Sequence, residues 1–149
     1  PLNTEDTASF NSDLCPGTAP KDAPVLIDDR QGWLLNQLGN HFVAMVNVDT
    51  EDQAELKNEL RELREIHDLK IVLLSTTSVS AELSDLLGKL GTAVIDSEGL
   101  IGERYDLQAG NTYLFRPDQI ITARWENLTA DAVTTAIKKA LGFNLEAVA

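Results

Sequence analysis

Apolar residues recur along this chain in two rhythms. From His41 to Val48 (HFVAMVNV) and again from Leu69 to Leu74 (LKIVLL) they run almost unbroken, with β-branched residues in both runs. Such runs fit strands covered on both faces. Between them Ala54, Leu56, Leu60, Leu63 and Ile66 leave a single stripe at helical spacing through EDQAELKNELRELREIH. Thr50 to Gln53 matches a capping box, and the acids at 51 and 52 suit the positive end of the helix dipole. Two strands joined by a helix of this length imply parallel neighbours and a right-handed crossover.

Shorter pieces follow. Ser80 is placed to cap a helix over AELSDLLGKL that Gly91 closes. A strand over Thr92 to Ile95, a turn at Asp96 to Gly99, a short helix around Ile101 to Tyr105 and a loop from Asp106 to Asn111 come next. Tyr113, Phe115, Ile120, Ala123 and Trp125 then supply strand-forming residues over 112–116 and 119–125. The turn between them is Arg116-Pro117-Asp118-Gln119, where proline presets φ and aspartate can bond its own backbone. Thr129 is placed to cap a last helix over ADAVTTAIKKALG, with Asp131 in its first turn, Lys138 and Lys139 in its last, and Gly142 after it. The tail NLEAVA receives no assignment.

Upstream, Val25 to Ile27 reads as a strand and Asp28 to Gly32 as a turn. Trp33 to Leu38 reads as one or two helical turns ending at Gly39 or Asn40. Residues 1–24 hold four of the five prolines and keep neither period, which predicts an extended arm or linker, laid on a surface by Leu2, Phe10 and Leu14. The expected domain is 25–145. A βαβ half followed by a ββα half is the thioredoxin arrangement. The expected fold class is therefore α/β, with a mixed sheet of about five strands and helices on both faces.

Charge narrows the function. The net charge is −12 with the twelve Lys and Arg scattered, which disfavours nucleic acid and anionic membranes. No apolar run approaches the ~20 residues of a membrane span. The chain opens on Pro1 without a signal-like stretch, which reads as a processed protein or a piece of a longer one. Its one cysteine, Cys15, rules out an internal disulfide and is compatible with a cytoplasmic location.

A thioredoxin arrangement raises the question of thiol chemistry. The reactive thiols of that fold sit where the second core strand meets the long helix, whose N-terminus lowers a thiol pKa. Here that junction is Asn47-Val48-Asp49-Thr50-Glu51-Asp52, with no cysteine and three acids. There is no C-x-x-C pair. Cys15 reads as an inert arm thiol. His41 and His67 match no metal spacing, and His67 beside Asp68 reads as a helix-end charge pair. Trp33 and Trp125 read as core or interface anchors. No dinucleotide, phosphate-loop or nucleophile-elbow motif is present, so no catalytic, cofactor-binding or metal-binding residue is expected.

Three short stretches carry a resemblance. Gly99 with Arg104-Tyr105, then Thr112-Tyr113-Leu114-Phe115-Arg116-Pro117-Asp118, then Ala123-Arg124-Trp125 resemble the end of flavin-dependent aromatic hydroxylases, the group of phenol hydroxylase, pentachlorophenol monooxygenase and 3-(3-hydroxyphenyl)propionate hydroxylase. Pro1 to Thr4 resembles the segment leaving the substrate domain of that group. Pro16-Gly17 and Ala23-Pro24 resemble the lead into its C-terminal domain. The likeness departs at Gln119-Ile120, where the family's usual form is Gly-His. The resemblance implies a thioredoxin-like C-terminal domain without thiols that packs on a catalytic body or helps form a homodimer. It implies that FAD and NAD(P)H belong to upstream domains of the same polypeptide. The residues it singles out as a structural or interface motif are Arg104, Tyr105, Tyr113, Arg116, Pro117, Asp118, Arg124 and Trp125. Buried pairing of the arginines with Asp106 or Asp118, fixing the hairpin against the sheet, is the simplest role for them. The competing readings are a free-standing, redox-inactive thioredoxin-like binding module and a redox protein using Cys15.

Overall fold

The structure, a computed structural model, describes residues 2–6 and 10–142. Residue 1 and residues 143–149, including the end of the expected domain and the unassigned tail, lie outside the described residues. The chain runs β1 (Pro24–Ile27), β2 (Arg30–Trp33), a 3-10 turn (Leu34–Gln37), β3 (Phe42–Asn47), α1 (Gln53–Leu63), β4 (Leu69–Ser75), α2 (Ala81–Leu87), a 3-10 turn (Gly88–Leu90), β5 (Gly91–Ile95), α3 (Leu100–Tyr105), β6 (Thr112–Phe115), β7 (Ile121–Trp125) and α4 (Ala130–Ala140).

The strands form one mixed sheet in the order β2-β1-β5-β4-β3-β6-β7. β3, β4 and β5 are parallel, joined by helical crossovers, and every other pairing is antiparallel. The sheet has seven strands rather than about five. Part of the difference is Arg30 to Gly32, which the sequence reading assigned to a turn. Asp28 and Asp29 both adopt positive φ, 52° and 62°, and make a two-residue hairpin turn by themselves. Ile27 therefore pairs with Arg30, and the weakly strand-forming Arg-Gln-Gly-Trp becomes an edge strand.

Alternation along the strands splits the core in two. Phe42, Ala44 and Val46 of β3, with Ile71, Leu73 and Leu114, face the helical layer of α1, α2 and α4 through Leu56, Leu60, Leu83, Val133 and Ile137. Val43, Met45, Val72, Tyr113 and Phe115 face the other way. That side is closed by Ile101 and Tyr105 of α3, by Leu34 of the 3-10 turn, and by Leu14 and Ala23 of the arm. Leu14 is 3% exposed and Ala23 is fully buried, so the arm fills part of the second core. Phe10 packs against this cluster, while Leu2 stays 44% exposed.

The helix ends show one shift. Ser80 and Thr129 cap α2 and α4, accepting from the backbone N–H of Leu83 and Ala132. α1 is capped by Asp52, which accepts from Glu55 N–H, and not by Thr50. Gln53 turns its side-chain amide back onto the Val48 and Thr50 carbonyls, which holds 48–52 as a loop and delays the helix by two positions, from Glu51 to Gln53. α2 ends at Leu87 because Gly88 takes a positive φ of 55°, and a separate 3-10 turn leads to Gly91.

Candidate functional site

The motif residues gather where the arm lies on the β6–β7 hairpin. Arg124, 6% exposed on β7, stands at the centre. Its Nη2 donates to Asp6 Oδ2 at 2.7 Å and its Nε to Asp6 Oδ1 at 3.1 Å, a fork against a carboxylate 118 residues away. Its Nη1 donates to the Ser12 carbonyl and Oγ and to the Tyr113 hydroxyl. The guanidinium carbon also sits 4.9 Å from the centre of the Phe10 ring. Hydrogen bonding to Asp6 raises the Arg124 pKa further above its ordinary value.

The tyrosines hold the next part of the arm. The buried Tyr105 hydroxyl donates to the Lys21 carbonyl and accepts from Lys21 N–H at 3.0 Å. Burial pushes the Tyr105 pKa up, more than its backbone hydrogen bond lowers it. Arg104 Nη1 donates to the Asp22 carbonyl. Tyr113 donates to the Tyr105 carbonyl at 2.8 Å, and its ring meets Phe10 at 5.3 Å and Tyr105 at 5.1 Å. The arm is thus fastened at two places: Asp6, Phe10 and Ser12 on Arg124, and Lys21 with Asp22 on α3.

Backbone pairing extends the same seam. A bulge between Leu114 and Phe115 skips Thr122 on β7. Thr122 then accepts Thr4 N–H at 2.9 Å through its carbonyl and donates from its hydroxyl to Asn3 Oδ1 at 3.1 Å. Gly17 N–H donates to the Ile121 carbonyl, and Ile121 N–H donates to the Thr18 carbonyl. The outer edge of β7 is covered by the chain's own arm.

Arg116, Pro117 and Asp118 form the hairpin tip. Arg116 Nη2 and Nε donate to the two oxygens of Asp118 at 2.8 and 3.1 Å, while Arg116 Nη1 reaches Asn3 Oδ1. The hydrogen bond from Arg116 holds the Asp118 carboxyl below the ordinary carboxylate range. Arg116 has the partner expected from sequence, Asp118, but the pair lies at the surface rather than buried, because both residues sit at the hairpin tip. Arg124 does not pair with Asp106 or Asp118; its partner is Asp6, and Asp106 instead accepts from Asn11 N–H at 2.6 Å. No spacing rule connects residues 6 and 124; only the surplus of acids in an arm beside a buried arginine hints at the pair. Trp125 lies on the opposite face, half-buried against the helical core, and Trp33 is 52% exposed on the edge strand.

At the junction of β3 and α1, the polar groups satisfy one another. Asp49 accepts from Ser75 Oγ at 2.6 Å and from the backbone and hydroxyl of Thr76. Asn47 accepts from Asp49 N–H, and its carbonyl accepts from Gly110 N–H. Cys15 lies elsewhere: it is exposed in a turn closed by Thr18, beside Ile121, at the end of the sheet where β3 starts. Among the described residues no group of three or more His, Cys, Asp or Glu could hold a metal ion. His41, not His67, pairs with Asp68, at 2.6 Å. No described helix is long and apolar enough to cross a membrane.

No protein-family model matches the chain, and no curated protein matches it. Solved structures do. Peroxidoxin BcpB from Mycobacterium tuberculosis is 13% identical over 88% of this chain and 99% of its own, with a TM-score of 0.68. The C-terminal domain of an uncharacterised Bacteroides fragilis protein is 16% identical over 82% of this chain and 96% of its own, with a TM-score of 0.62. The flavin-dependent monooxygenase PieE, solved with FAD and substrate, is 14% identical over 93% of this chain and 22% of its own, with a TM-score of 0.60. At these identities the likeness is one of fold. The chain has a thioredoxin-like fold whose strand–helix junction carries no thiol.

Proposed function

We propose that this chain is the non-catalytic C-terminal domain of an FAD-dependent, NAD(P)H-using aromatic-ring monooxygenase, with a role in packing or dimerisation. The observation that carries the reading is the use made of the residues that resemble the hydroxylase ending. Arg104, Tyr105, Tyr113, Arg116 and Arg124 all hold the arm in one course across α3 and the hairpin. A joint between domains needs such a fixed course; a reaction centre needs groups left open to a substrate. The likeness to 22% of PieE, a flavin-dependent monooxygenase, supports the reading, because it covers 93% of this chain. On this reading FAD and NAD(P)H are held by upstream domains, oxygen transfer to the ring happens there, and the protein is cytoplasmic.

The likeness to nearly the full length of peroxidoxin BcpB favours a second reading, a free-standing, redox-inactive thioredoxin-like binding module. The native mass and visible spectrum of the protein carrying this chain separate the two. A polypeptide several times longer with a flavin band supports the first reading. A flavin-free 149-residue protein overturns it.

A further inference from the structure

The sheet ends differently on its two sides. The outer edge of β7 is covered by the arm, whereas β2 ends the strand order with no strand beyond it among the described residues. Leu34 N–H donates to the Ala23 carbonyl across the β1–β2 hairpin at 3.0 Å. By alternation Gly32 and Arg30 also turn their backbone groups to β1, and Gln31 and Trp33 turn their N–H groups outward. The Trp33 ring stands beside this open edge, 52% exposed.

The hairpin itself gives no reason for Gly32 at the centre of β2. Its φ is not positive, and a Cβ there would meet the Ile27 side chain at 3.5 Å, an ordinary contact. Glycine inside a strand weakens it and often marks a place where another backbone comes close. None of the described strands does so on that side.

We infer that β2 pairs antiparallel with β2 of a second copy, about a two-fold axis at Gly32. In that register the Trp33 N–H of each copy faces the Gln31 carbonyl of the other. The two Gly32 residues form the non-hydrogen-bonded pair on the axis, where Cα atoms approach to about 4.5 Å. The two Trp33 rings then stand diagonally across the axis on one face, within reach of each other. The other registers that match outward groups fail. An axis at Gln31 sets Trp33 against Asp29, which belongs to the turn at positive φ, and an axis at Trp33 runs Gln31 into the 3-10 turn. Charge allows the Gly32 register although each copy carries −12, because Arg30 meets Leu34 and Asp29 meets Leu35, so no acid faces an acid across the pair. A strand that complements itself in this way suits a closed, two-fold dimer. The inference rests on the dimerisation role proposed above and gives it a surface.

Cysteine substitution in the full-length protein, in a Cys15→Ser background, tests this. Gly32→Cys is expected to yield a disulfide-linked dimer on mild oxidation, because its mate lies directly opposite. Gln31→Cys is not, because the two Gln31 positions are diagonal, about 7–8 Å apart and beyond the reach of a disulfide. Gln31→Pro removes an outward N–H and leaves the bonds to β1 in place. It is expected to raise the dimer dissociation constant at least tenfold in sedimentation, with the melting temperature of the monomer unchanged. A dimer that Gln31→Pro leaves intact and Gly32→Cys fails to link overturns the inference and leaves dimerisation through another surface standing. A protein that stays monomeric at every concentration overturns the inference and the dimerisation role together. Linkage at Gly32 in a flavin-free 149-residue protein upholds the inference and removes the flavoenzyme reading instead.

Discussion

The Tyr113 hydroxyl donates to the Tyr105 carbonyl at 2.8 Å, and the two rings meet edge to face at 5.1 Å and 89°. The same hydroxyl accepts from Arg124, so one phenol joins α3, β6, β7 and, through Arg124, the arm. Tyr113→Phe keeps the ring and removes the link. The expected loss is about 1–2 kcal/mol, the cost of a buried carbonyl and a guanidinium N–H losing a partner. Urea denaturation measures it, with an unchanged slope if only stability changes.

Tyr105 gives a pH dependence at the alkaline side. Burial raises its folded pKa above the ordinary phenol value of about 10. Above that value the unfolded chain gives up the proton and the folded chain keeps it, so stability is full below it and falls as pH rises. Phenolate absorbance of the folded protein is expected to show a late-titrating component from Tyr105. In Tyr105→Phe that late component disappears and the alkaline loss of stability is smaller.

α1 offers a paired test of its cap. Asp52→Ala is expected to cost about 1 kcal/mol, because Glu55 N–H loses its acceptor. Thr50→Ala is expected to change stability by less than ~0.5 kcal/mol, since Gln53 bonds the Thr50 carbonyl and not its side chain. Thermal unfolding of the two variants decides between the caps; the reverse order would restore the cap read from sequence.

Gln119 stands in the left-handed region at φ 75°, at the position where the resembling family has glycine. The turn closes through Gln119 N–H to the Arg116 carbonyl and Arg116 N–H to the Ile120 carbonyl. A side chain in that region costs about 1 kcal/mol. Gln119→Gly is therefore expected to raise stability by up to ~1 kcal/mol, read as a higher melting temperature. A lower one would mean that the Gln119 side chain packs against Gly39 strongly enough to outweigh the strain.

The parts of the fold legible in sequence are those set by local rules. Unbroken apolar runs gave β3 and β4, one stripe gave α1, and Ser80 and Thr129 gave two caps. β2 was not legible, because Arg30 to Trp33 has neither alternation nor β-branched residues and pairs only because Asp28 and Asp29 reverse the chain. The cap of α1 was misplaced because Thr50 and Asp52 both suit the role, and the choice falls to the long-range packing of the preceding loop. The motif residues were legible as a group. Their partners were not: Asp6, Ser12, Lys21 and Asp22 lie 82 to 118 residues away in an arm without a period.

The central claim is that the motif fastens the arm to the hairpin, and the Asp6–Arg124 pair tests it most directly. A double-mutant cycle of Asp6→Ala and Arg124→Ala, followed by urea unfolding, measures their coupling. Each single change leaves one charge without its partner, so the two losses are not expected to add. The account predicts a coupling of about 1–3 kcal/mol, with faster proteolysis of residues 2–22 in both single variants. Additive losses within ~0.3 kcal/mol, with the arm as resistant as in the native chain, would contradict it.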